Sequence, residues 1–353
     1  MTIAPPSGEI RRVAEERLAG LATPAGALGR LGDLAVWIAA TQGQVPPAPI
    51  DNVRAVIFVG DHGVTAGMPI QNGVTAEDTV SAYPREITGA MVHTFLLGRA
   101  GVSVLAAQHG VNVRVLDLGV DADLDVPPEV TAYKIRKGSG RIDVEDALTP
   151  EETARAIEAG EQVAAEEIAA GAQLLISGDM GIGNTTPSAA LVAASLGLPA
   201  SEVTGRGTGV DDATWQRKVQ VVQSALDRAG DRVDDPVDTL TALGSADLAA
   251  SAGFMAAAAR AGVPVLLDGV ISVAAAVMAE RLAPGAVEWF AAGHRSTEPA
   301  LSLALEKLAL EPILDLGMRL GEGSGAVAAV PLVRSAALLL RDVALLADLL
   351  PDG

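Results

Sequence analysis

The sequence predicts an α/β protein: a parallel, Rossmann-like sheet in a large domain covered by helices on both faces, with a small helical domain built from the two ends of the chain. Three observations predict it. Short apolar, β-rich runs recur without the polar alternation of a strand that has one wet face. Ala- and Leu-rich stretches with helical spacing separate those runs. Glycine-rich turns tend to follow the strands, at the carboxyl ends where open α/β sheets bind ligands.

The elements follow in order. Residues 9–43 read as helical, broken at LATPAGALGRLG. VRAVIFVG (53–60) reads as a buried strand, a helix is expected over 84–99, and VSVLAA (102–107) and VRVLDLGV (113–120) read as two further strands. Segment 121–149 is polar and proline-containing, a surface excursion. A helix over 150–170 leads to the strand LLISG (174–178), and helices over 185–197, 211–229 and 246–261 to the strand VPVLLDG (263–269). After a helix over 271–282 come the weaker strand VEWFAAG (287–293) and a helix over 298–309. Residues 322–349 read as a long terminal helix with a bend at Pro331. The expected division is 1–45 plus 322–353 as the small helical domain and 46–321 as the α/β catalytic domain.

Composition narrows the function. Hydrophobic residues are 49% of the 353, enough for a large core, and aromatics only 3%, so that core consists of small aliphatic side chains. A net charge of −19 with no basic stripe argues against nucleic acid and against an anionic membrane surface. The apolar stretches are interrupted, the last by Arg334, Arg341 and Asp342, and the N-terminal segment lacks the apolar centre of a signal peptide. The expected protein is soluble and cytoplasmic. With no cysteine and four scattered histidines, neither a thiol nucleophile nor a metal-ligand motif is apparent, and no cofactor is expected.

Several stretches are candidates for chemistry. LLISGDMGIGNTTPSAALVAA (174–194) runs from strand through glycine turn to helix; Gly178, Gly181 and Gly183 let backbone amides converge, with Asn184, Thr185 and Thr186 as side-chain donors. It is either an anion cradle at a helix N-terminus or simply a tight βα turn. VTGRGTGVDD (203–212), with Gly205 and Gly207, is a second such turn, in which Asp211 or Asp212 reads as an N-cap. Lys218, on the helix that follows, is either a phosphate partner or a solvated surface lysine. FVGDHGV (58–64) and GHRSTEPA (293–300) place Asp61 with His62, and His294 with Ser296 and Glu298, at strand ends; Ser296 is a candidate substrate contact. RLGEGSGA (319–326) sets Glu322 between Gly321 and Gly323, which suits a carboxylate presented to a flat ligand close to the backbone, and equally a carboxylate at a helix N-terminus.

Together these stretches resemble the nicotinate-nucleotide–dimethylbenzimidazole phosphoribosyltransferase family, which serves the lower ligand of cobalamin. TPAGALGRLGDLAVWIAATQG (23–43), GDHGV, SAYPREITGAMV (81–92), GDMGIGNTTPSAAL, TGRGTGVDD, LLDGVISVAAAVMA and RLGEGSGA occur in the family's order over nearly the whole chain. The resemblance implies a homodimer of α/β subunits with the active site near their interface. It implies that Glu322 is the catalytic base, and that Asp179 and Lys218 lie on the ribose or phosphate side with the two glycine turns. It also places the acceptor pocket around the YP motif: Tyr83, and Ala82 and Ala90 where the family often carries Ser and Gln. Asp179 departs too, since glutamate is the usual residue there. Ala82 and Ala90 make the acceptor floor more apolar and open the alternatives of adenine, another benzimidazole or a phenolic base. A non-catalytic nucleotide-binding protein is the alternative from another class.

The expected chemistry suits this residue set. The donor, nicotinate mononucleotide, releases its base as a neutral pyridine nitrogen, so no general acid is required. The acceptor heterocycle must shed a proton as it attacks C1′, and one carboxylate, Glu322, would take it, worth ~10²–10⁴ in rate. Attack on the face opposite nicotinate inverts C1′ and gives α-ribazole 5′-phosphate.

Overall fold

The computed structural model describes residues 2–65 and 80–349. Six strands form one sheet: β1 Val53–Gly60, β2 Val111–Gly119, β3 Leu174–Met180, β4 Val265–Leu267, β5 Phe290–His294 and β6 Pro312–Leu314. Their order is β2-β1-β3-β4-β5-β6, and every pairing is parallel. Val53 opens the register opposite Val111 on one side and Leu174 on the other.

Burial on both faces explains the unalternated strands. Val53, Ala55, Ile57 and Val59 of β1 point into one apolar cluster, and Val56 and Phe58 into the other. β3 repeats the pattern, with Leu174 and Ile176 on the first face and Leu175 on the second. The second face is covered by helices including Pro150–Ala169, Thr185–Leu196, Ala246–Arg260 and Val270–Leu282. The first is covered by Arg30–Gln42, Gly101–His109 and Ser324–Asp342 among others. Local signals start several of these helices. Thr149 and Glu152 form a reciprocal capping box ahead of Pro150, and the Asp211 carboxylate accepts from the Thr214 N–H at 2.8 Å, so Asp211 is the N-cap read from the sequence.

The chain ends lie together. Arg17 Nε donates to the Leu340 carbonyl at 2.7 Å, and Leu21 pairs with Leu345 in an antiparallel bridge. Helix Ser324–Asp342 runs through Pro331 and is largely buried against the sheet and helix Arg30–Gln42. Its apolar length alone would suit a bilayer, but Val327, Val330 and Val333 belong to the same buried cluster as Ile57 and Ile176.

Two expectations need correction, and two elements were not foreseen. VSVLAA is not a strand but the body of helix Gly101–His109, closed by left-handed Gly110. Val102 and Ala106, four residues apart, are its buried stripe, and that packing overrides the β-propensity of the valines. The terminal helix stops at Asp342, before the short turn Leu346–Leu349. Strand β6 and helix Pro236–Leu243 were not expected; the helix carries a sequence signal, Asp235 as N-cap before Pro236.

Candidate active site

Parallel strands bring all their carboxyl ends to one edge, and the strand order changes direction between β1 and β3. Next to that point, over the ends of β3, β4 and β5, lies a cavity of about 470 Å³. It is walled by the turn after β3, residues 268–272 after β4, His294, Ser296 and Glu298 from β5 onward, the 319–322 loop, and side chains between 80 and 91.

One wall is built to meet an anion. Gly181, Gly183, Asn184 and Thr185 line the cavity where helix Thr185–Leu196 begins. Gly181 has to be glycine, because a Cβ there would stand 2.2 Å from the Gly60 carbonyl oxygen and 2.6 Å from His62 Nε2. Lys218 reaches this turn from helix Asp212–Ala229 and is 1% exposed, so it is a buried cation and not a surface lysine. Its Nζ donates to Thr185 Oγ1 at 2.6 Å and to the Gly205 carbonyl at 3.2 Å. Burial pushes the Lys218 ammonium down to about 8, against the pull of nearby Glu298. Glu298 in turn accepts from the Gly207 N–H at 2.8 Å. Gly205 lies behind the wall, where a Cβ would collide with the Glu298 carboxylate.

Asp179, at the end of β3, is 7% exposed and accepts from Asn184 Nδ2 at 2.7 Å. Burial and the neighbouring Asp247 carboxylate raise its pKa well above the ordinary value. Ser296 lines the same cavity, and its Oγ has no hydrogen-bond partner among the described residues.

The 319–322 loop presents Glu322 to the same cavity, 6% exposed. Three consecutive residues there are left-handed: Gly321 at φ 79°, Glu322 at 65° and Gly323 at 89°. For glutamate that backbone is strained by about 1–3 kcal/mol. Space around Gly321 is open, so conformation, not crowding, calls for glycine there. Gly323 sits outside the cavity at the start of helix Ser324–Asp342. The loop lies directly on β3: a Cβ on Gly178 would come within 2.5 Å of the Glu322 carbonyl oxygen. Glu322 does sit at a helix N-terminus, but that of another helix: its Oε2 accepts from the Val102 N–H at 3.1 Å, at the start of Gly101–His109. Burial raises the Glu322 pKa, the Asp268 charge adds to the rise, and the Val102 and Gly101 amides oppose it.

Of the acceptor-side residues read from the sequence, Tyr83 lines the cavity, with Ser81, Ile87 and Met91 beside it. Ala82 and Ala90 are exposed and outside the lining of this single chain. His294 and Glu298 of the GHRSTEPA stretch line it with Ser296, and Asp268 and Arg319 line it without having been singled out. Asp268 had a usable signal, a lone carboxylate directly after strand β4. His62 is buried outside the cavity, with Nε2 3.6 Å from Asp247.

A switch-point cavity lined by a buried lysine, glycine turns and a desolvated carboxylate suits group transfer from a phosphorylated sugar. A phosphoribosyltransferase family model matches residues 3–348, and the chain belongs to that family. Among its relatives, the nicotinate-nucleotide–dimethylbenzimidazole phosphoribosyltransferase of Mycolicibacterium paratuberculosis is 53% identical over 349 residues, covering 98% of this chain and 96% of that protein. The enzyme of the same name from Mycobacterium marinum is 51% identical over 346 residues, 98% of this chain and 93% of that one. The crystal structure of CobT from Thermus thermophilus superposes with a TM-score of 0.90 at 42% identity, covering 98% of this chain and 100% of that one.

Proposed function

We propose that this enzyme transfers the phosphoribosyl group of nicotinate mononucleotide to 5,6-dimethylbenzimidazole or a closely related base, with Glu322 as general base. The donor phosphate lies on the turns at 181–185 and 205–209, with Lys218 as its counter-charge. The C1′–N bond to nicotinate breaks, its electron pair returning to the pyridine nitrogen. The acceptor nitrogen attacks the opposite face of C1′, which inverts that centre, and the proton of the acceptor's other nitrogen passes to Glu322. Asp179 lies on the ribose side, where its carboxyl is a hydrogen-bonding partner for the sugar.

The observation that carries this reading is the placement of Glu322: a buried carboxylate with raised basicity, facing the same cavity as the buried lysine. The names of the relatives support the choice of donor and acceptor. We take the working unit to be a homodimer in the cytoplasm. Tyr83, at 52% exposure, and Leu320, at 55%, lie at the cavity and are apolar surface that a second copy would cover.

The test is product analysis. Protein incubated with nicotinate mononucleotide and dimethylbenzimidazole should release nicotinate one for one with an α-linked riboside phosphate, read by proton NMR of the anomeric position. Nicotinate release without a new riboside would mean hydrolysis and remove the proposed acceptor. A β-linked product would remove the inversion.

A further inference from the structure

We infer that Asp268 is a positioning residue for the transfer, fastening the loop that carries Glu322 and acting on that carboxylate with its own charge; this rests on Glu322 being the base. Helix Ser324–Asp342 has no side-chain cap of its own, because Gly323 occupies the N-cap position. Asp268, from the end of β4, does that work across the sheet. Its Oδ1 accepts from the Gly325 N–H at 2.8 Å and the Ala326 N–H at 3.0 Å, and its Oδ2 from the Gly323 N–H at 3.1 Å. Three amides immediately after Glu322 thus converge on one buried carboxylate, 3% exposed.

The fastening is specific to this loop. Glu322 and its two neighbours are left-handed, so the segment needs tertiary contacts to hold it. Behind Asp268 stands His294, whose Nε2 lies 3.5 Å from Oδ1, within ion-pair distance. His294 also abuts the loop: a Cβ on Gly325 would fall 2.0 Å from its Cδ2, so only glycine lets the helix start this close. Burial would push the Asp268 carboxyl up, but His294 and the amides hold it below the usual range, and it stays charged. His294, which burial would make less basic, is made more so by Asp268. The Asp268 charge in turn makes Glu322 a stronger base. The other ionisable groups around this cavity among the described residues are Tyr83, Asp179, Lys218, Glu298 and Arg319, and the Gly101 and Val102 amides oppose Asp268 at Glu322.

The test uses steady-state kinetics of Asp268→Asn and Asp268→Ala, with Glu322→Gln alongside and donor binding followed by calorimetry. Asp268→Ala should lower kcat about 100-fold, the loss expected when a reacting group is misplaced by about an ångström, with the KM for nicotinate mononucleotide within about threefold of wild type. The Asn variant keeps an acceptor for two of the amides and loses the charge, so kcat should fall about tenfold. The acid limb of its kcat profile should move to lower pH; His294, losing its own counter-charge, offsets part of that shift. Wild-type kcat in both folded variants, or an unmoved acid limb in Asp268→Asn, overturns the inference. If the Ala variant does not fold, the near-isosteric Asn variant carries the test. Normal turnover in Glu322→Gln would remove the base itself. Lost turnover there, with normal turnover in Asp268→Ala, would remove only the role of Asp268.

Discussion

Glu322 is bent into a left-handed backbone, buried, and tied by one oxygen to the Val102 amide. Its carboxylate form is the one that accepts a proton. Because its pKa is raised, kcat should fall as pH drops through a value above the ordinary range near 4.5, which a kcat–pH profile will show. The same shift means the folded chain binds this proton more tightly than the unfolded one. Its contribution to stability therefore grows as pH falls through the raised pKa. Lys218 has the opposite sign. Its ammonium titrates at about 8, so the donor KM should rise above that pH while kcat changes little. Lys218→Met should raise the donor KM about 10- to 100-fold, the worth of a charged hydrogen bond. Glu322 was legible from its flanking glycines and from the resemblance they carry. The hold of Asp268 on that loop was not, because its three partners lie 55 to 58 residues further along the chain. The burial of Lys218 was equally hidden: a lone lysine on a helix looks the same wet or dry.

The helices over the sheet are packed through small residues, which is what an alanine-rich, aromatic-poor composition is suited to. Pro150–Ala169 crosses Ala246–Arg260 so closely that a Cβ on Gly160 would be 1.9 Å from the Ala250 carbonyl oxygen, and one on Gly253 2.3 Å from that of Ile157. Alanine is the better helix former by about 1 kcal/mol, yet here it forces two backbones apart. Gly160→Ala should therefore lower stability by about 1–3 kcal/mol, measured by denaturant melting, with the m-value unchanged. Long strands and capped helices were readable because burial on both faces and cap residues are local signals. Helix Gly101–His109 was misread because VSVLAA is β-branched and apolar whichever way it folds. β6 was missed because three partly buried residues at a sheet edge carry almost no pattern.

At the scale of the whole molecule, the parallel sheet gathers Asp179, Asp268 and His294 from three strand ends, and the terminal helix supplies the loop with Glu322. The carboxyl edge as the site of chemistry was readable from the glycine turns; which loops meet there was not, since that depends on strand order. The proposed homodimer would cover the exposed Tyr83 and Leu320, so Leu320→Asp should shift sedimentation toward the monomer and lower turnover together. The central claim is that one buried carboxylate takes the acceptor's proton while nicotinate leaves unassisted. Turnover of Glu322→Gln at saturating nicotinate mononucleotide and dimethylbenzimidazole, set beside its donor affinity, tests it most directly. The expected result is a loss of at least about 100-fold in kcat with donor binding intact. Turnover near that of the native enzyme would contradict it.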